Sequence, residues 1–255
     1  MSWCDKLAST PAIGFKLSTH FAPIDILLNS LSPILDRASE EDAKNRTIEQ
    51  PTKQFTAAFT NSDGFRYFVD ESRISVIFNH RVKYRSVSGG PPIMEMLSTP
   101  RPFTSLIPEV SERLIEATLL LPKIESRTLN RVGIVSSTPL ALEDLPPGIK
   151  RLIEYIARPW KGAVESYNIS ITSTLNETSF ASDRCVHTLN QPEDKSELLT
   201  LQFDWQRSFK EPRIISKSNL EQATQDAEKN ALKYFEELAE GNRFDEELIR
   251  SATSA

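Results

Sequence analysis

Catalysis needs side chains that exchange protons, attack electrophiles or bind metal, and this chain holds few of them in a working pattern. It has three histidines and two cysteines. His20 falls at a strand-to-helix corner, His80 on an apolar strand face, and His187 two residues after Cys185. None belongs to an H-x-x-H, H-E-x-x-H or C-x-x-C pattern, the spacings that bring two ligands to one ion. Cys185 and His187 share a strand face, since side chains alternate with a period of two. Two ligands could meet a metal there, but further ligands would have to come from elsewhere. The pair reads equally as two half-buried strand residues. No metal site and no cofactor is expected.

Phosphate-cradling loops are scarce in a chain with eight glycines. No G-x-x-x-x-G-K-[ST], no strand-linked G-x-G-x-x-G and no G-x-S-x-G elbow occurs. Ser88-Gly89-Gly90-Pro91 runs into prolines, not into a helix N-terminus. The acidic pairs Glu40-Glu41 and Glu236-Glu237 lie in polar stretches, without the burial that shifts a carboxyl pKa for acid–base work. An enzyme built on this chain would assemble its site at the cleft between two halves, with Cys185 and His187 the first residues to test.

Two features suit binding. Arg81, Lys83 and Arg85 alternate along a strand and form a row of cations, a surface that tracks phosphates or acidic partners. The same row is also an ordinary solvent face, or a contact for the acidic C-terminal helix of this chain or of a second copy. The other feature is the proline-rich stretch 86–102, which holds Ile93, Met94, Met96 and Leu97. Apolar residues in such a loop tuck beneath it or dock on a partner, and methionine adapts to varied surfaces.

The elements that must position these residues follow from periodicity. Ile13, Phe15 and Leu17 alternate in a strand over 11–21. Residues 23–37 have helical spacing, interrupted at Pro33. Strands are expected over 54–60, 65–69 and 73–85, with a turn at Asn61-Ser62-Asp63-Gly64. A helix over 103–121 carries the stripe Leu106, Val110, Leu114, Ala117 and Leu121. The second half repeats the order: a strand over 129–136, a helix over 149–157, and strands over 164–175, 179–189 and 198–207. A connection over 208–218 then leads to a helix capped by Asn219 and closed by Gly241.

Local sequence agrees with that order. At an offset of 119 residues, Gly14 matches Gly133, Ser18 matches Ser137, and Thr19, Ala22 and Asp25 match Thr138, Ala141 and Asp144. A period this long indicates two copies of one unit rather than a solenoid. The expected class is α+β: two related β-α-β-β-β-α halves, 1–127 and 128–255, with antiparallel sheets backed by helices. The sheets could pack as a pseudo-dimer or join edges into one continuous sheet, which would hide exposed strand edges.

Composition sets the outer bounds. With 39% hydrophobic and 25% charged residues, the 255-residue chain reads as globular, not disordered. Residues 1–127 carry 15 basic and 15 acidic side chains, so the net charge of −5 resides in the second half. Within it, residues 219–255 hold four basic and nine acidic side chains, a face suited to a basic protein partner. No apolar run approaches the roughly 20 residues of a membrane helix, so no membrane contact is expected. Two distant cysteines and no visible secretory signal suggest free thiols and a cytoplasmic setting.

The strand Arg131-Val132-Gly133-Ile134, following a mid-chain amphipathic helix, resembles a family of sporadically distributed bacterial proteins of about this length. That family carries R-[IV]-G-[LI]-R-Y-x-N here; Val135, Ser136 and Thr138 depart from it. The resemblance implies a bacterial origin and, because the family is uncharacterised, assigns no activity. From the sequence, the leading expectation is a non-enzymatic adaptor acting through protein–protein contacts or self-association, with Ile93, Met94, Met96 and Leu97 at the contact. The alternative is a nucleic-acid or anionic-ligand binder using Arg81, Lys83 and Arg85.

Overall fold

Strand alternation builds most of the molecule. In the computed structural model, which describes residues 3–7, 9–35, 47–49, 56–60, 64–80, 82–85, 93–96, 101–157, 166–191 and 198–242, Ile13, Phe15 and Leu17 of β1 (Thr10–Leu17) are buried while Ala12, Gly14 and Lys16 face the other way. The first half continues with α1 (Ile24–Ser30), α2 (Ser32–Leu35), β2 (Thr47–Glu49), β3 (Thr56–Thr60), β4 (Phe65–Val69), β5 (Arg73–Phe78), β6 (Val82–Arg85), β7 (Ile93–Met96) and α3 (Phe103–Leu119). The second adds β8 (Thr128–Ala141), α4 (Pro147–Ala157), β9 (Tyr167–Glu177), β10 (Ala181–Gln191), β11 (Leu198–Ile214) and α5 (Lys217–Glu240). The class is mixed α+β.

Nine strands form one continuous antiparallel sheet in the order β2-β3-β4-β5-β1-β8-β11-β10-β9, while β6 and β7 pair separately. Edge joining is therefore the arrangement found: β1 pairs with β8, setting Gly14 opposite Gly133 and Lys16 opposite Arg131. Arg127, 5% exposed, locks the ends of the central strands. Its Nε and Nη2 donate to the Ser18 carbonyl, and Nη2 also donates to that of Glu71. Burial lowers its pKa, partly offset by the charge of Asp70.

One sheet face packs on helices. The stripe read on α3 is buried, as are Leu220, Ala223, Ala227, Ala231, Tyr234 and Leu238 of α5. Aromatic rings join α3 to α5 and α5 to the sheet, with centroids 5.1 Å apart for Phe103 and Phe235 and 4.3 Å for Phe203 and Tyr234. Gly148 opens α4 against the end of α5, where a Cβ would fall 2.4 Å from the Leu238 carbonyl oxygen. Only glycine permits that approach.

Between α3 and α5, Ser111 donates to the carboxylate of Glu228. Burial raises the Glu228 pKa, and the Ser111 bond only partly opposes it. Because the folded pKa lies above the unfolded one, protonation favours folding, and stability falls as pH rises from about the ordinary value of 4.5 through the folded value. Glu228→Gln should therefore raise Tm at pH 7, an advantage that should vanish below pH 4. Thermal melts at both pH values check this.

Some boundaries differ from the sequence reading. Periodicity over 23–37 divides into α1 and α2, with Pro33 in the first turn of α2, where its missing N–H leaves no hydrogen bond unmade. The strand expected over 73–85 ends at Phe78. His80 lies beyond it, not on a strand face; its ring meets Phe78 edge-on at 5.0 Å, and the Arg101 N–H donates to its Nε2 at 3.4 Å. Burial, helped by the charge of Arg101, lowers the His80 pKa. β11 extends to Ile214 through most of the expected connection. The cap of α5 is Ser216, whose Oγ accepts from the Asn219 N–H at 3.2 Å, rather than Asn219 itself.

Candidate functional site

The helices cover one face of the sheet, and among the described residues no element covers the other, as a single-sided antiparallel sheet allows. Register assembles its chemistry. Arg73 of β5 stands opposite Lys16 of β1, and Lys16 stands opposite Arg131 of β8. With neighbouring strands about 4.8 Å apart, three cations line up within about 10 Å. Like charges directly opposite each other destabilise a sheet. None of the three makes an ion pair among the described residues.

Beside this row lies a low floor. The next register row is Phe68, Ser75, Gly14, Gly133 and Gln206; the one after it is Arg66, Ile77, Ala12, Val135 and Asp204. The three cations and these rows, apart from Phe68 and Arg66, line a cleft of about 420 Å³. Arg131 Nη1 donates to Gln206 Oε1 at 2.8 Å, and Gln206 Nε2 donates to both oxygens of Asp204 at 3.0 Å. Arg66 lies over the ring of Phe68, 4.5 Å from its centroid.

In the paired stretches from β4 to β10, the open face carries five cations, Arg66, Arg73, Lys16, Arg131 and Arg184, against one carboxylate, Asp204. The helix side has the opposite balance: α5 holds six carboxylates and three lysines. A chain of net charge −5 thus presents a basic sheet and an acidic helix layer, a segregation that creates a directed field.

A larger cleft, about 830 Å³, opens on the helix side between residues 3–7, the end of β8 and the end of α5. Glu236 lines it and accepts from the backbone N–H groups of Trp3 and Cys4 at 3.3 and 3.1 Å, so this carboxylate fastens the N-terminal turn to α5.

Of the residues singled out in the sequence for chemistry or binding, those that are described do not line the open-face cleft. Lys83 and Arg85 fall on β6, while Ile93, Met94 and Met96 fall on β7; Arg81 and Leu97 lie outside the described residues. The two strands form one hairpin, in register Lys83 to Glu95, Tyr84 to Met94 and Arg85 to Ile93. The cation row and the methionine stretch are therefore one element. Cys185 is buried on the helix side of β10, and His187 shares that side with its ring 6.1 Å from Tyr234. Sequence reading gave Lys16 and Arg131 no part in a binding site. The signal that could have found them was the Gly14–Gly133 match: antiparallel edge joining about those glycines sets Lys16 opposite Arg131.

No family model, curated protein or solved structure matches this chain. The resemblance carried by Arg131, Val132, Gly133 and Ile134 rests on those four residues alone.

Proposed function

We propose that this is a non-enzymatic binding protein that receives a negatively charged partner on the open face of its sheet. The observation that carries the reading is the row Arg73–Lys16–Arg131, three like charges in direct register without a carboxylate partner among the described residues. A bound anion would convert their mutual repulsion into shared attraction. Inorganic triphosphate, titrated calorimetrically at low salt, should bind, and its affinity should fall steeply as salt rises. Lys16→Ser and Arg131→Ser should each weaken it about tenfold. Undetectable binding, or binding indifferent to both variants, would refute the reading.

A second reading, contact with a protein partner through Ile93, Met94, Met96 and Leu97, is favoured by one observation. The β6–β7 hairpin carrying most of these residues pairs only with itself among the described residues. Cys4 and Cys185 are both buried, which is consistent with work in the reducing cytoplasm. We further infer that the sheet arose by duplication of a β-α-β-β-β-α unit, with halves at 1–127 and 128–255. The order β3-β4-β5-β1, mirrored by β9-β10-β11-β8 about the Gly14–Gly133 pair, supports it.

A further inference from the structure

We propose that the open-face cleft takes a nucleotide unit, with its phosphate on the Arg73–Lys16–Arg131 row and its base on the floor beside Gly14 and Gly133. This rests on the anion-binding reading above and goes further by naming the ligand. The cleft is asymmetric. Its cations lie along one register row, while two rows away the floor is Ile77, Ala12 and Val135. Such a cleft fits a ligand that joins an anionic group to a flat, uncharged body. At about 420 Å³ it falls within the usual range for small-ligand sites, roughly 300–1,000 Å³.

Gly133 is the telling residue. A Cβ there would meet the Trp205 carbonyl at 3.4 Å and Gln206 Cγ at 3.5 Å, ordinary contacts, and its φ is not positive. Neither packing nor backbone conformation requires glycine, although glycine within a strand is less stable than alanine. What a side chain would change is the height of the floor. At the rim, Asp204 accepts hydrogen bonds and the Ser75 hydroxyl offers both donor and acceptor, matching the mixed edge of a base, while Gln206 is held by Arg131 and Asp204.

The same chemistry is offered by a free nucleotide or by one unit of a single strand. The test titrates the full-length protein with inorganic triphosphate, with ATP and with a fluorescein-labelled 12-nucleotide RNA of mixed sequence. ATP should bind at least tenfold more tightly than triphosphate. Gly133→Leu should abolish that advantage while leaving triphosphate affinity within twofold, and the milder Gly133→Ala should reduce it about threefold if the leucine variant fails to fold. RNA binding at least tenfold tighter than ATP assigns the site to single strands; otherwise it is assigned to free nucleotides. If triphosphate binds as tightly as ATP, or if floor-filling leaves ATP affinity unchanged, the nucleotide proposal fails while anion binding stands. If triphosphate does not bind either, both fail.

Discussion

Arg207→Ala should lower the unfolding free energy by about 3–5 kcal/mol, because it strands a buried carboxylate. Arg207 on β11 donates twice to Asp183 on β10, Nε to Oδ1 and Nη2 to Oδ2, each at 2.7 Å. Its Nη1 donates to Asp226 on α5, and the guanidinium lies over Trp205, 5.3 Å from the ring centroid. The Asp183 bonds lead in raising the Arg207 pKa; burial opposes them, and the charges of Asp183 and Asp226 add to them. The side chain of Asp183 is only 6% exposed, so water cannot replace what alanine removes. Urea unfolding at pH 7 measures the loss. In an Asp183→Ala background the same substitution should cost much less, since the stranded charge is gone. A loss below about 1 kcal/mol in the single variant would mean that the carboxylate is solvated after all.

That network was invisible in the sequence, and the reason is general to this fold. Arg207, Asp183 and Asp226 belong to three elements, and only register and layer packing bring them together. The cation row has the same origin: Lys16, Arg73 and Arg131 are each unremarkable polar residues on a strand face until β5, β1 and β8 align. A local run such as Arg81, Lys83 and Arg85 is legible in the sequence, whereas a row built across strands is not. Alternation correctly identified β1 and β4, because a half-buried strand imprints its period on the residues it buries. It failed over 73–85, where the chain turns out of the sheet after Phe78 while the alternation of residue types continues. It also failed after Ser208, where the pairing of β11 with β8 jumps from Ser208–Arg131 to Arg213–Leu129 and the bulge erases the period. At the start of α5, Ser216 and Asn219 are both good capping types, and only geometry shows that Ser216 is the cap.

Gly14→Ala and Gly133→Ala should change stability in opposite directions, although the two residues face each other across the centre of the sheet. A Cβ on Gly14 would sit 2.9 Å from Ser75 Cβ and 3.1 Å from the Ile74 carbonyl oxygen. Neither is the end of a flexible side chain, so β1 and β5 would have to part at the middle of the sheet. Overpacking of that kind costs about 1–3 kcal/mol. Gly133 meets no such obstacle, and alanine there should add about 0.5–1 kcal/mol by removing the excess freedom of glycine from the unfolded chain. Urea denaturation of both variants under one set of conditions decides the matter. Destabilisation by both would mean that the strands around Gly133 are packed as tightly as those around Gly14, and the flat floor would then need no functional reason. A gain at Gly133 combined with weaker ATP binding would show stability and binding pulling against each other at one residue, as expected where a strand keeps its surface low to admit a ligand.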